Sequence, residues 1–355
     1  MKTSPFRSAP ALAAAAVVVG LAALAIPVAA GPAGPAGAAT KVPLVVYSAQ
    51  GYDSAETKAF QAATGITVEL DTNSTGPLLT QIEASKNNPK WGLLWVDGPT
   101  AFAGLDDQHL LVRGFEPDVS WDALGKEAVP KDKSYVPTGI TLTEALVYTT
   151  KVVPDPPTTW QQLLEPQWKG EVGMNTPSQS GPTFPFIAGM MNYLGGTNGV
   201  SKGEAYFEKL KANGLVVHTT NGVTLQALTS GQIKLALIQS SAGIGAKHTD
   251  PTLAVKYLAP ITLLPSAIGI DAKATKTEQT EAKEFVKYVL SKTGQQVMQS
   301  GTPTGDSLYY PVLNGEKPLK TLPSLASVKT QNITPYVWGP REDTINTWFV
   351  TNITK

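Results

Sequence analysis

Hydrophobic and polar residues alternate along the chain in a pattern that predicts strands followed by helices. Short apolar runs at 42–47, 66–70 and 93–96 have the length of buried strands. Amphipathic stretches with apolar residues at helical spacing follow them. The first of these helices is predicted to end near Ala63 and to be capped by Asp53 with Glu56 three residues later.

All three predicted strands end in polar loops that open helices. Ser48 follows the first strand, Ser74, Thr75 and Gly76 follow the second, and Asp97 ends the third. In a parallel α/β sheet the carboxyl ends of the strands lie at one edge, where ligands bind. The pattern therefore predicts an α/β fold with a polar ligand site at this edge.

The segment 158–194 predicts a short helix, a strand over 170–174, a hydroxyl-rich turn and an apolar helix over 182–193. The turn is rich in small polar residues. Pro182 suits a first helical position because its missing N–H would be unpaired there. The free N–H groups at a helix start attract anions, so the turn is a candidate anion site. The alternative is that Ser180 is only an N-cap.

Two extended stretches predict a hinge between two lobes. Residues 135–148 would cross into a second lobe, with Thr141 on one face, and 255–264 would cross back. Within the second lobe, the strand 235–238 presents Gln239, Ser240 and Ser241 at its end. A single long amphipathic helix is predicted over 280–299, and the tail from Tyr309 is expected to pack on the first lobe or the hinge.

The N-terminal residues 1–39 have the features of a secretory signal peptide and small-residue leader. Lys2 and Arg7 precede an Ala-rich apolar run, and cleavage after Ala30 and after Ala39 are both compatible with the small residues there. Cysteine is absent, which excludes a lipoprotein anchor, a disulfide framework and a thiolate zinc site. We therefore expect a periplasmic protein that is not lipid-anchored.

Charge and length narrow the class further. Without Lys2 and Arg7 the mature chain has 26 basic and 28 acidic residues, which gives a net charge of −2. This balance argues against a nucleic-acid partner. A mature chain of roughly 316 residues is more than one hydrophobic core usually covers. We expect a first lobe from 40–148 and 258–355, and a second lobe from 149–257.

Four stretches carry a resemblance to a known family: VPLVVYSAQGYDSAETKAFQAATGITVEL, TTWQQLLEPQWKGEVGMNTPSQSGPT, NGVTLQALTSGQIKLALIQSS and EAKEFVKYVLSKTGQQVM. Their order and spacing resemble the extracellular solute-binding proteins of bacterial ABC importers, in the group that serves ferric iron, phosphonates, polyamines and thiamine. The resemblance implies a class II periplasmic-binding-protein fold with a ligand cleft between two lobes and a two-strand hinge. It also implies that the protein docks on a membrane permease and delivers the solute to the permease and its ATPase. We expect the protein to be a monomer.

The chain departs from the ferric-binding pattern at the end of one strand. Ferric binders of this group have adjacent tyrosines where this chain has Gln239, Ser240 and Ser241. Neutral amides and hydroxyls do not replace phenolate on a trivalent cation, and the three histidines show no ligand spacing. We therefore expect no metal site and no cofactor, and we interpret His218 as a partly buried structural histidine.

Two short motifs resemble enzyme signatures. Residues 199–203 have the spacing of a nucleophile elbow, but they follow a glycine-rich loop and not a strand. Residues 292–294 match one β-lactamase motif, but they lie in a predicted helix. We expect no catalytic residue, and a secreted serine hydrolase that uses Ser201 is the alternative from another class.

The ligand is predicted to be anionic or zwitterionic, with a phosphonate-like head, and the alternative is that the same fold binds ferric iron, a polyamine or thiamine. Hydroxyl-rich loops favour an anion, whereas Asp97 would repel a pure anion and would pair with an ammonium group. The alternative for Asp97 is a turn residue before Pro99. The predicted ligand-binding residues are Ser48, Ser74, Thr75, Gly76, Asp97, Thr141, Ser178, Ser180, Gly181, Thr183, Gln239 and Ser240.

Overall fold

A computed structural model describes residues 42–300 and 308–355. The predicted signal peptide and leader, 1–39, lie outside the described residues. Within the described part of the chain, no helix combines the length and the apolar character needed to cross a membrane.

Strands and helices alternate from the first described residues onward. The first set is β1 (Leu44–Ser48), α1 (Asp53–Thr64), β2 (Val68–Thr72), α2 (Thr75–Ser85), β3 (Leu93–Asp97), α3 (Pro99–Asp107), α4 (Ala123–Ala128), β4 (Val136–Leu142) and β5 (Glu144–Thr149). The second set is β6 (Val172–Asn175), α5 (Thr183–Gly195), α6 (Val200–Ala212), β7 (Val216–His218), α7 (Asn221–Thr229), β8 (Leu235–Gln239), α8 (Ser240–Thr249) and β9 (Leu253–Lys256). The last set is β10 (Ile261–Ile270), α9 (Lys276–Val289), α10 (Lys292–Ser300), β11 (Thr330–Gln331), α11 (Pro335–Trp338) and α12 (Glu342–Phe349).

The strands form two separate sheets. The first has the order β11-β10-β3-β1-β2, with β4 paired to β10, and the second has the order β7-β6-β8-β5-β9. In the first sheet β1 runs parallel to β2 and β3, and in the second β6 runs parallel to β7 and β8. The predicted α/β architecture is therefore confirmed, and each sheet has carboxyl-terminal strand ends from which helices start.

Two connections join the sheets. The extended stretch predicted over 135–148 consists of β4 in the first sheet and β5 in the second, separated by Thr143. The return runs from β9 in the second sheet to β10 in the first, through a cis Ala259–Pro260 peptide bond. The Thr143 N–H donates to the Thr262 carbonyl at 3.0 Å, which ties the two connections together. We expected the first part of the first lobe to end at residue 148. That residue lies inside β5, which pairs with β8 and β9 of the second sheet.

Each sheet carries its own hydrophobic core. In the first lobe Trp95 packs edge-to-face on Tyr52 and Phe285, with ring centroids 5.0 and 5.7 Å apart. In the second lobe Phe207 packs in the same way on Phe186, with centroids 5.9 Å apart. Both sets of rings are withdrawn from water, so each lobe has its own source of hydrophobic stabilisation.

The C-terminal tail divides its contacts between the two lobes. Tyr309 belongs to the core of the first lobe, as expected. Further along, Trp338, Ile345 and Phe349 are buried in the core of the second lobe. The prediction that the whole tail packs on the first lobe or hinge was therefore wrong, because Phe349 of α12 packs on Phe207 of α6 in the second lobe.

Two local predictions also require correction. The helix predicted over 280–299 is two helices, α9 and α10, because the Ser291 hydroxyl accepts from the Gly294 N–H at 3.2 Å and starts a new helix. Asp53 and Glu56 do not form a capping box. The N-cap of α1 is Tyr52, and the Asp53 carboxylate accepts from the Thr72 hydroxyl at 3.0 Å.

Candidate functional site

The polar face between the lobes is built from strand ends and helix starts. Ser48 and Asp97 end β1 and β3 of the first sheet, and Asn175 and Gln239 end β6 and β8 of the second. All four residues are buried, with at most 6% of their surface exposed to solvent. Strand ends from both sheets therefore contribute to this face.

Asp97 is surrounded by hydrogen-bond donors of the protein. Its carboxylate accepts from the Gln50 amide at 3.0 Å, from the Gln239 amide at 2.9 Å and from the Tyr309 hydroxyl at 2.7 Å. Burial raises the pKa of Asp97, and these hydrogen bonds, with one from Ser266, oppose the rise. Gln239 comes from the second sheet, so this cluster spans the interface between the lobes.

Ser48 is coupled to the Asp97 cluster through Gln50. The Gln50 N–H donates to the Ser48 hydroxyl at 3.1 Å, while the Gln50 side chain donates to Asp97. On the other side of the cluster, Thr141 and Ser240 share a hydrogen bond of 3.1 Å between their hydroxyls. Four predicted site residues, Ser48, Asp97, Thr141 and Ser240, are thus buried along the lobe interface.

The hydroxyl-rich turn is held by its own lobe. Asn175 donates to the Ser180 hydroxyl at 3.3 Å and to Asn221 at 2.6 Å, and it accepts from Thr224 at 2.6 Å. Ser180 does not cap the next helix, because the N-cap of α5 is Pro182. The interpretation of Ser180 as only an N-cap was therefore wrong, and Pro182 lies one position before the helix it was expected to begin.

The two predicted hydroxyl loops touch each other. The Gly76 N–H donates to the Gln179 carbonyl at 3.3 Å across the lobe interface. A Cβ atom at Gly76 would overlap the Ser178 carbonyl, and one at Gly181 would overlap the Thr75 hydroxyl. The close approach of the lobes therefore depends on glycine at both positions. Ser74 precedes α2 at this contact, and its hydroxyl caps no N–H.

Glu144 is a buried acidic residue that the sequence analysis did not select. It begins β5, is 0% exposed, and faces Gln239 in the β5–β8 register. Burial raises its pKa to about 8, and the nearby Thr183 hydroxyl opposes the rise. Neither carboxylate oxygen has a partner at hydrogen-bonding geometry. A sequence signal existed, since Glu144 is the single charged residue of an otherwise apolar strand.

The family follows from residues 56–314, which match the model of the bacterial extracellular solute-binding proteins. The chain belongs to this family. Solute-binding proteins of ABC importers bind small solutes and deliver them to permease complexes. The resemblance found in the sequence is therefore confirmed, and the polar face between the lobes is the candidate solute site.

Three similar proteins place this solute-binding protein among its relatives. One, from Salmonella typhimurium, is provisionally named a 2-aminoethylphosphonate-binding periplasmic protein, and is 23% identical over 243 residues, or 67% of this chain and 68% of the relative. AfuA from Actinobacillus pleuropneumoniae, solved with fructose-6-phosphate, has a TM-score of 0.77 and 19% identity over 88% of this chain and 99% of its own. Iron-bound HitA from Pseudomonas aeruginosa has a TM-score of 0.71 and 22% identity over 86% and 98%. The two solved structures establish the class II fold.

The residues singled out for metal or enzyme chemistry are dispersed in this solute-binding protein. Among residues 42–300 and 308–355, no three His, Asp or Glu side chains are grouped as metal ligands. His218 is half-buried in β7, where burial lowers its pKa. Ser201 is exposed on α6, and Lys292 begins α10. The serine therefore lies on a helix, and not on the strand-to-helix turn that a nucleophile elbow requires.

Proposed function

We propose that this solute-binding protein captures a small zwitterion with a phosphonate-like anion and an ammonium group, and passes it to the permease and ATPase of an ABC importer. We further propose that the protein acts as a periplasmic monomer after removal of its signal peptide. The cleft between the lobes would hold the solute. The observation that carries this proposal is the chemistry of the lobe interface, where buried carboxyl groups lie beside helix starts.

The anionic half of the proposed ligand is supported by helix starts at the interface. α5 begins at Thr183 and α8 begins at Ser240, and both residues are buried where the two lobes meet. The first N–H groups of a helix have no partner within the helix, and the helix dipole attracts negative charge there. Ser240 and Thr183 add hydroxyl donors to these amides, so a phosphonate could be bound without a basic side chain.

The cationic half is supported by the buried carboxyl groups. Asp97 and Glu144 are both buried at the interface, whereas every Lys and Arg among the described residues is at least partly exposed. A pure anion would find no buried basic side chain here, and a carboxyl group that ionises would repel it. An ammonium group on the same solute would pair with an ionised carboxylate, and this favours a zwitterion over phosphate or sulfate.

A thermal-shift panel tests the proposal. It would contain 2-aminoethylphosphonate, ethylphosphonate, phosphate, sulfate, putrescine, thiamine, amino acids and ferric citrate. A solute present at a hundred times its dissociation constant should stabilise the protein by about 2.7 kcal/mol. We expect 2-aminoethylphosphonate to exceed its amine-free analogue and the simple anions. If ferric citrate alone raised the thermal midpoint strongly and the protein solution became coloured, iron would instead be established as the cargo.

A purely cationic amine is the second candidate, since two buried carboxyl groups would also suit a polyamine or thiamine. The same panel separates the two, because putrescine carries no anion. The hydrolase alternative requires turnover of a chromogenic ester by the purified protein, abolished by Ser201→Ala. Ser201 is exposed on a helix, so we expect no such turnover.

A further inference from the structure

Glu144 is buried at the lobe interface, next to residues of the candidate solute site. It is the first residue of β5, immediately after the connection from the first lobe. Directly opposed residues of an antiparallel pair project their side chains from the same face, about 5 Å apart at Cβ. Glu144 is opposed to Gln239, and the Gln239 side chain reaches Asp97 of the other lobe. Glu144 therefore lies on the face of β5 that meets the first lobe.

The side chains of Glu144 and several polar residues near it in the chain or in the structure have no hydrogen-bond partner within the described part of the protein. Both Glu144 carboxylate oxygens lack a hydrogen bond, and so do the hydroxyls of Thr143, Thr183 and Ser241. Thr183 begins α5 close to Glu144, and Ser241 lies in the first turn of α8, two residues beyond Gln239. Buried polar groups in native proteins are generally paired, and unpaired ones are costly. The unpaired carboxylate of Glu144 and the unpaired hydroxyl of Thr183 beside it indicate that a ligand supplies their partners.

Asp97 differs from Glu144 in this respect. Its carboxylate already accepts from Gln50, Gln239 and Tyr309, which together occupy both oxygens. An ammonium group at Asp97 would displace or compete with these donors. At Glu144 it would meet a carboxylate with all of its acceptor positions free.

We propose that Glu144, and not Asp97, binds the ammonium group of the solute and so selects amine-bearing ligands. This inference rests on the proposed function, because it requires a ligand with an amine. No charged side chain contributes to the pKa of Glu144, whose neighbours Thr183 and Gln239 are neutral. A protonated carboxyl of the free protein would then lose its proton when a cationic group binds.

The experiment compares Glu144→Gln with wild type against matched ligand pairs that differ in their amine. The pairs are 2-aminoethylphosphonate with ethylphosphonate, and putrescine with 1,4-butanediol. Gln keeps the shape of the protonated side chain, so the fold should be retained. A hydrogen bond between charged groups contributes more than a neutral one, and its loss corresponds to about tenfold to a hundredfold in affinity. We expect this loss for the amine-bearing ligand only.

Asp97→Asn is the matched control. It should weaken both members of a ligand pair by a similar factor, because Asp97 joins the lobes and does not contact the amine in this scheme. An amine-selective loss in Asp97→Asn, with none in Glu144→Gln, would overturn the inference. So would a wild-type protein that prefers the amine-free member of each pair.

The proposed function and the role of Glu144 can fail separately. If putrescine binds and both phosphonates do not, the phosphonate assignment is wrong, and the effect of Glu144→Gln on putrescine still decides the inference. If no amine-bearing ligand binds, both are wrong. Titration calorimetry of the unmodified protein in buffers of different ionisation enthalpy gives an independent measurement. Near pH 7 we expect proton release on binding the amine-bearing ligand, and its absence would contradict the inference.

Discussion

Asp97 and Gln239 belong to different sheets, yet the Gln239 amide nitrogen donates to an Asp97 carboxylate oxygen at 2.9 Å. The same nitrogen donates to the Tyr309 hydroxyl at 3.0 Å, so one glutamine of the second lobe bonds two residues of the first. The lobes therefore contact each other through the protein's own polar groups. A solute that binds both lobes would add to contacts that already favour the closed arrangement.

Gln239→Ala should shift the ligand-free protein toward an open arrangement. The substitution removes a hydrogen-bond donor to a buried carboxyl group, a change that costs about 1–3 kcal/mol and alters a two-state ratio by about fivefold or more. Small-angle scattering of the ligand-free variant should give a larger radius of gyration than wild type. Gln232→Ala, at an exposed position, is the control. An unchanged radius in Gln239→Ala would show that this bond does not hold the lobes together.

Gly76→Ala should weaken solute binding without weakening the fold. Alanine is favoured over glycine in a helix by about 0.5–1 kcal/mol, so α2 itself should tolerate the change. The added Cβ would overlap the Ser178 carbonyl of the other lobe and would prevent full closure. The thermal midpoint of the ligand-free protein and the solute affinity, measured together, separate the two effects.

Gly104→Ala is the matched control for Gly76→Ala, because a Cβ atom there meets no atom within 4 Å. Both glycines lie in helices of the first lobe. We expect Gly104→Ala to retain wild-type affinity. Equal affinities in both variants would mean that contact between the hydroxyl loops is not needed for binding.

Glu56 should make the protein less stable as the pH rises. Burial raises its pKa from 4.5 to about 9, so in that window the folded state holds a proton that the unfolded state has released. The free energy of unfolding therefore falls with rising pH, by at most about 1.4 kcal/mol per pH unit for this group. Glu56→Gln should reduce the fall between pH 6 and 9, as measured by urea unfolding. The exposed Glu208→Gln is the control, and equal slopes in both variants would refute this role for Glu56.

The positions of many site residues could be predicted because strand ends are local features of a sequence. An apolar run followed by a polar residue indicated Ser48, Asp97 and Gln239, and each lies at the lobe interface. Their partners could not be predicted in the same way. The bond between Asp97 and Tyr309 joins residues 212 positions apart, and no local pattern specifies it.

Glu144 was missed for a related reason. An acidic residue at the start of an apolar strand normally marks the point where a strand reaches solvent, and its burial depends on the packing of α5 and α8 around it. Part of the C-terminal tail was misplaced because apolar residues in a sequence indicate burial but not the lobe that covers them. The roles assigned to Ser74, Ser178 and Gly181 in ligand binding remain predictions, and their contacts in the structure are with other parts of the protein.

Phe349→Ala should destabilise the second lobe. Phe349 nevertheless lies in the C-terminal tail, which follows β10 and β11 of the first sheet. Phe349 is 0% exposed, and its ring lies 5.5 Å from that of Phe207 on α6. Replacing a buried phenylalanine by alanine typically costs about 3–5 kcal/mol, through lost burial and the cavity left behind. Urea unfolding should show this loss, and Tyr193→Ala, at a position 40% exposed, should show much less.

Hydrogen exchange locates the effect of Phe349→Ala within the molecule. Local opening frees the amides that lose their packing, while amides elsewhere keep their protection until the whole chain unfolds. In this variant we expect faster exchange in α5 and α6, which belong to the second lobe with Phe207, and unchanged exchange in β1 and β3. Faster exchange in β1 and β3, with α5 and α6 unaffected, would mean that the tail stabilises the first lobe, as the sequence pattern alone had suggested.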